Sequence, residues 1–423
     1  MPRDSRIIPI TAVSSAPARH VPSGTFSDGS AAATSGLAAP PPLALYVHWP
    51  WCVKKCPYCD FNSHEAKADI DEAAYLAALI ADLEAALPHI WNRPVMSVFI
   101  GGGTPSLMRA ETADALLAAI RMRVPLQPDA EITLEANPGT VDAEKFKAFR
   151  EAGVNRLSLG IQSFADDKLK ALGRIHDSRE ARQAIDLALT HFARVNIDLM
   201  YALPQQNLNE AEHDIDTAIA SGASHLSAYH LTLEPNTPFH HTPPPLPDDD
   251  IAADMQEMIE AKLAVENFIH YETSAFAKAG EQCRHNLNYW AFGDYLGIGA
   301  GAHSKLSNHM EIWREARHRH PRAYMQGAAK SQPKHHLNDF ISTRQTISAT
   351  DLPGEFMMNA LRLTAGFPLR LFTERTGLAL ATIENSALVA RREGLLEMVE
   401  DTLRPTRQGQ RFLNQLLARF LAD

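Results

Sequence analysis

The sequence predicts an α/β protein: a curved, partial (β/α)6 barrel followed by a C-terminal, mainly helical domain with a winged-helix-like pattern. Two observations lead there. Across residues 43–233, short apolar stretches of strand type alternate with stretches of helical spacing in six successive units, which implies a parallel sheet with right-handed crossovers. From about Ile347 this alternation gives way to helical stretches. The two further β-α units that a closed eight-stranded barrel needs are not found.

Residues 43–50 (LALYVHWP) are apolar and aromatic and stop at a proline, the pattern of a buried strand. Leu76, Leu79, Ile80, Leu83 and Leu87 mark a helix within residues 70–87. Residues 95–100 (VMSVFI) form the second strand, run into Gly101-Gly102-Gly103-Thr104 and lead to a helix over 106–120. Strands over 131–135, 156–161, 195–200 and 225–233 follow, separated by helices that end near residues 152, 191 and 219. A Pro-rich excursion (235–247) precedes a helix over 248–265, and 270–276 reads as extended. Helices over 355–363, 380–392 and 408–421, with a small hairpin near 395–403, make up the C-terminal domain. The expected organisation is a disordered extension (1–42), the barrel (43–280), a connecting region (281–346) and the helical domain (347–423).

Composition narrows the function. A chain of 423 residues with 45% hydrophobic and 21% charged residues has the make-up of a soluble globular protein. Its net charge of −10 argues against a nucleic-acid partner. Residues 351–423 carry nine Arg and no Lys against nine acidic residues, so the helical domain has no basic face to offer DNA. No run approaches the roughly 18 apolar residues of a membrane span, so no integral membrane segment is expected, while peripheral membrane contact stays open. Pro9 interrupts the short apolar stretch at the start, which argues against a secretory signal. With three of four cysteines clustered, a disulfide framework is not expected; a reducing, cytoplasmic setting is.

Those cysteines are Cys52, Cys56 and Cys59, on the loop that leaves the first strand. Three close thiolates suit an iron–sulfur cluster or zinc. A four-iron cluster would keep one iron open; a zinc site would be completed by His48 or His64. Polar residues then fall at or near later strand ends: Glu135 in LEANPG, Gln162 in SLGIQS and Asp198 in NIDLMYALP, with Arg174 in ALGRIH between the last two. Each alone is explained by a turn or cap. Together, carboxylates in a half-buried site require a cation or donors, which points to a shared ligand.

The C-x3-C-x2-C spacing resembles the cluster motif of radical S-adenosylmethionine (SAM) proteins. With LYVHWPWCVKKCPYCDFNSH, GGGTPS, LEANPG, SLGIQSF, GRIH, DLMYALP and EFMMNALRL, residues 43–423 look like the oxygen-independent coproporphyrinogen III oxidase family and its heme-chaperone branch. The resemblance implies a [4Fe-4S] cluster on Cys52, Cys56 and Cys59, with SAM chelating the open iron. It also implies SAM contacts by Tyr46, Tyr58, Gly102, Gly103, Thr104, Glu135, Gln162, Arg174, Asp198 and Ala228.

Two features separate the branches. The oxidase carries a further cysteine two residues after the third cluster cysteine, where this chain has Phe61. Residues 285–290 (HNLNYW) match the HNxxYW heme-binding motif of the chaperone branch. His285 would ligate heme iron, with Asn286, Tyr289 and Trp290 completing the motif and Cys283 as an alternative axial ligand. The glycine-rich FGDYLGIGAGAHS that follows either lines a porphyrin pocket or is a packed turn.

The resemblance therefore implies a carrier of heme that serves heme-accepting proteins such as respiratory cytochromes, with an electron donor if SAM is cleaved. The alternatives are radical decarboxylation of coproporphyrinogen III propionates and another radical reaction on a tetrapyrrole.

Overall fold

The computed structural model describes residues 36–66, 69–330 and 339–421. Six parallel strands stand side by side in chain order: β1 (Leu43–Trp49), β2 (Val95–Gly102), β3 (Leu126–Ala136), β4 (Arg156–Gln162), β5 (Arg194–Tyr201) and β6 (His225–His230). Each is followed by helical chain that crosses back over the sheet, as the hydrophobic pattern predicts. β1 is buried on both faces except at Tyr46, as expected of a strand with helices outside and a packed interior within.

Local signals explain where several crossover helices start. The Asp142 side chain accepts the Lys145 N–H, and Gly153, at φ +110°, ends that helix in a left-handed turn. Asp177 with Glu180, and Asn207 with Glu210, form reciprocal capping boxes. The helix expected over 106–120 begins later: Pro105–Leu107 is a tight turn, and the α-helix spans Ala110–Arg123.

The sheet is larger than six strands. β7 (Ile269–Glu272) and β8 (Ala275–Ala277) form a hairpin whose second strand pairs antiparallel with β6, within the stretch read as extended. At the other side, β9 (Asp294–Ile298) pairs parallel with β1. The antiparallel strands β10 (His303–Ser307), β11 (Ile312–Arg317) and β12 (Ile341–Thr346) continue outward. All twelve belong to one sheet, in the order β12-β11-β10-β9-β1-β2-β3-β4-β5-β6-β8-β7. The glycine-rich stretch is thus two strands and the turn between them, and residues 281–346 supply a third of the sheet rather than a connection.

Charged groups that the linear pattern hides weld this part to the barrel. Lys305 and Asp294 form a fully buried pair at 2.9 Å, and Arg93 also reaches Asp294. Arg317 on β11 bonds Asp82 on the helix Glu72–Ala86 at 2.9 Å and Glu315 at 2.8 Å. Buried pairs of this kind fix register more than they add stability.

Of the predicted extension, residues 1–35 lie outside the described residues. Residues 36–42 pack: Leu37 is buried, its carbonyl lies 2.9 Å from His309 Nδ1, and the Pro42 carbonyl accepts the Asp294 N–H. The C-terminal region holds the helices Leu352–Ala360, Leu369–Thr376 and Ala381–Arg392, and the predicted hairpin (Leu396–Val399, Thr402–Pro405). The helix expected over 408–421 is broken at Phe412 into Arg407–Arg411 and Leu413–Ala418. No helix among the described residues is long and apolar enough to cross a membrane.

Candidate functional site

A cavity of about 430 Å³ opens at the carboxyl ends of the parallel strands and runs down between them. The loop after β1 brings Cys52, Cys56, Tyr58 and Cys59 to its mouth, and Gly102, Gly103, Thr104, Gln162 and Arg174 join them there. Glu135, Ser158 and Asp198 stand deeper, and Arg156, Asn196 and His225 line the inner end. Register explains this layering: Arg156 pairs across to Arg194, and Asn196 pairs to His225, all towards the amino ends of their strands.

The glycine turn is built by close approach. Gly102 has φ +115°, and a Cβ there would sit 2.5 Å from the His48 ring. A Cβ on Gly103 would sit 2.5 Å from the Trp51 carbonyl. The turn is thus pressed against the cysteine loop, and the Gly103 and Thr104 N–H groups donate to the Trp49 and Trp51 carbonyls at 2.7 Å. Gln162 is a non-glycine residue at φ +71°, where β4 slips register against β5. Such a conformation is costly and aims this side chain into the cavity mouth.

The three cysteines are free and half-buried. Burial raises the pKa of Cys52 and Cys59. One Arg174 nitrogen lies 3.8 Å from Cys56 Sγ, while another donates to the Asn137 side chain and the Gly160 carbonyl, both at 2.6 Å. Arg174 Nε is buried without a partner, so the site leaves a donor open beside the thiols.

A single zinc ion fits poorly. Both ring nitrogens of His48 are engaged, Nδ1 with the Tyr46 hydroxyl at 2.9 Å and Nε2 with the Asn62 carbonyl at 3.0 Å. Among the described residues, no three His, Cys, Asp or Glu side chains converge closely enough for one ion. In a four-iron cluster each thiolate takes its own iron, so the sulfurs stand further apart. Three half-buried thiols on one loop, beside an arginine, suit that cluster.

Deeper in, Glu135 Oε2 accepts the Gly102 N–H at 3.0 Å. Its pKa is pushed up to about 7, by burial first and by the Asp198 charge second. Burial raises Asp198 too, against hydrogen bonds from Ser158 Oγ and Asn196 Nδ2, both at 2.8 Å. Two facing carboxylates held above their ordinary range form a site short of positive charge and donors. SAM, with an ammonium, a sulfonium and ribose hydroxyls, has what they lack.

Two of the expected SAM residues do not reach the cavity. Tyr46 points to His48, and Ala228 is buried on β6 between Ser227 and Tyr229, which do line it. The lining residues Asn137, Ser158, Arg156, Asn196, His225, Ser227 and Tyr229 were not singled out from the sequence. Asn137 sits inside LEANPG, and period-two alternation down the strands from Gly160 and Asp198 would have led to Ser158, Arg156 and Asn196.

The HNLNYW stretch is a short helix, Arg284–Trp290, beneath the cavity. It packs at the amino ends of the strands, the opposite end from the cysteines. The His285 ring lies 5.0 Å from Phe99, and Nδ1 is 3.1 Å from Ser97 Oγ. Burial lowers its pKa to about 4. Asn286 lines the cavity floor. Tyr289 and Trp290 face the other way: Tyr289 packs on Tyr295 at 5.0 Å, and the Arg362 guanidinium lies 5.0 Å over the Trp290 ring. Cys283 is fully buried, donates to Glu131 at 3.4 Å and has its pKa pushed up to about 12 by burial. A thiol so enclosed is a packing group, so the alternative axial ligand is not available in this structure. No residue of the glycine-rich stretch lines the cavity.

Comparison with known proteins agrees with this geometry. Residues 46–218 match the radical SAM superfamily, and residues 347–412 match the HemN C-terminal domain. The solved structure of coproporphyrinogen III oxidase (HemN) from Escherichia coli, described as a radical SAM enzyme, has a TM-score of 0.76 at 21% identity, covering 90% of this chain and 91% of that one. Fold and site together define a radical SAM-type protein.

Full-length relatives are more specific. The heme chaperone HemW of Haemophilus influenzae is 46% identical over 389 residues, and that of Escherichia coli 47% over 385. Each alignment covers 90% of this chain and 99% of the relative. The chain belongs to the HemW family.

Proposed function

We propose that this protein is a radical SAM-type heme chaperone: it binds heme and hands it to heme-requiring proteins, with respiratory cytochromes as the expected recipients. The observation that carries the reading is the placement of the HNLNYW helix, whose Asn286 lines the cavity and whose His285 is fixed through Ser97 and Phe99. With Nδ1 engaged, Nε2 is the atom left to ligate iron, and burial keeps the imidazole in the neutral form that does so. Tyr289 and Trp290, on the opposite side of the same helix, pack against Tyr295 and Arg362 and hold it in place.

Cys52, Cys56 and Cys59 would hold a [4Fe-4S] cluster, whose open iron would take the amino and carboxylate groups of SAM. Around it, Glu135 and Asp198 supply negative charge, Gln162 a polar side chain at the mouth, and Arg174 a cation beside Cys56. An electron donor is needed only if SAM is cleaved. A reducing, cytoplasmic setting suits free thiols of this kind.

The test is a heme titration of the anaerobically reconstituted protein, followed by the Soret band. Stoichiometric binding that is lost in His285→Ala supports the chaperone. A second reading, coproporphyrinogen III oxidase, draws on the shared fold. Against it, Phe61, 59% exposed, stands where the oxidases carry a further cysteine. Conversion of coproporphyrinogen III to protoporphyrinogen IX with SAM consumed would replace the first reading by the second.

A further inference from the structure

The inner end of the cavity holds a cation with no direct hydrogen-bond partner. Arg156 opens β4, is 2% exposed and faces the cavity. Among the described residues its guanidinium makes no hydrogen bond and no ion pair. The groups around it are committed elsewhere. Asp198 accepts from Ser158 and Asn196 at 2.8 Å. Glu131 pairs with Arg194 at 2.9 Å and accepts the Arg284 and His285 N–H groups at 3.2 Å. His225 bonds Asn196 at 2.6 Å through Nδ1 and the Tyr271 hydroxyl at 2.8 Å through Nε2, and the Ser227 hydroxyl donates to Asn196.

Glu131 and Asp198 attract Arg156 from beyond hydrogen-bond range and keep it charged despite burial. A guanidinium has five N–H donors. Those of Arg156 reach the cavity, where an acceptor on a ligand can meet them. A carboxylate matches one planar fork with its two oxygens. A phosphate asks for further donors, and Ser158, Asn196 and Ser227 beside it are already engaged.

We infer that Arg156 anchors a carboxylate subsite at the inner end of the barrel cavity, which receives one carboxylate arm of a ligand entering beside the SAM site. Two ligands of the proposed function carry such a group: heme, through its propionates, and SAM, through its methionyl end. Arg156 lies at the amino end of its strand, away from the cysteine loop and next to the layer that holds Asn286, which favours the propionate. To that extent the inference rests on the heme reading.

The experiment titrates the reconstituted full-length protein with heme, with heme dimethyl ester and with SAM, in wild type, Arg156→Gln and Arg156→Lys. Heme affinity is expected to fall about ten- to hundredfold in Arg156→Gln and to recover in part in Arg156→Lys. The dimethyl ester should bind wild type as weakly as heme binds Arg156→Gln and ignore either substitution, and SAM affinity should hold. Loss of SAM affinity with heme unchanged keeps the subsite and makes its occupant the cofactor. Wild-type affinities for all three ligands in a folded Arg156→Gln protein overturn the subsite and leave Arg156 an internal counter-charge. Should Arg156→Gln not fold, equal affinity of wild type for heme and its diester overturns the propionate. A wild type that binds no heme sinks the chaperone reading instead, and the SAM titration still tests Arg156.

Discussion

The backbone N–H of His285 lies 3.2 Å from Glu131 Oε1, so a carboxylate on β3 fixes the first turn of a helix 154 residues later in the chain. The same carboxylate accepts from the Arg284 N–H and the Cys283 thiol and pairs with Arg194. Burial opposes its charge, but Arg156 and Arg194 outweigh burial and hold Glu131 below the ordinary carboxylate range.

Removing this anchor should be costly. Glu131→Ala leaves Arg194 with Glu281 alone as carboxylate partner and strands two backbone donors, and a loss of about 3 kcal/mol is expected. Chemical denaturation measures it. Heme affinity should fall along with stability, because His285 loses its fixed position. A variant as stable as wild type would mean that the helix is held by other contacts.

The glycine turn makes a sharper prediction. Gly102→Ala combines a left-handed backbone with a Cβ 2.5 Å from the His48 ring. Destabilisation of about 3 kcal/mol is expected, with iron incorporation lowered because the turn presses on the cysteine loop. Thermal unfolding and iron content per chain check the two parts separately.

Each cluster cysteine should be required for iron. Cys56→Ala leaves two thiols and removes the sulfur next to Arg174. Reconstituted protein should lose the broad visible absorbance of the cluster and its iron, while the apo fold keeps its unfolding free energy to within about 1 kcal/mol.

Stability of the apo protein should depend on pH through Glu135. Its folded pKa of about 7 exceeds the unfolded value of 4.5, so the folded state holds the extra proton between them. The stability present below pH 4.5 is therefore lost as pH rises through 7. Glu272, also pushed up to about 7 by burial, acts with the same sign. Urea midpoints at pH 5.5 and 8 should show the fall, and Glu135→Gln should flatten it in part. SAM, a cation, should bind more tightly at pH 8 than at pH 6; the reverse trend would mean that Glu135 does not face it.

Much of this protein is legible in its residue order. Strands buried on both faces and capped helices announce themselves locally, so the six β-α units, the cysteine loop and the polar residues Glu135, Gln162, Asp198 and Arg174 can be read directly. Tertiary structure alone decided the rest. β9 to β12 carry polar and glycine-rich sequence, and they become strands because Asp294, Lys305, Asp82 and Arg317 find partners distant in sequence. Arg156 and Asn196 read as ordinary strand residues, and only register places them at the cavity's inner end. The HNLNYW motif names its residue types but not their directions: one short helix sends His285 and Asn286 towards the barrel and Tyr289 and Trp290 away from it. Which face each side of that helix meets depends on the carboxylate at Glu131, and no pattern within the motif encodes it.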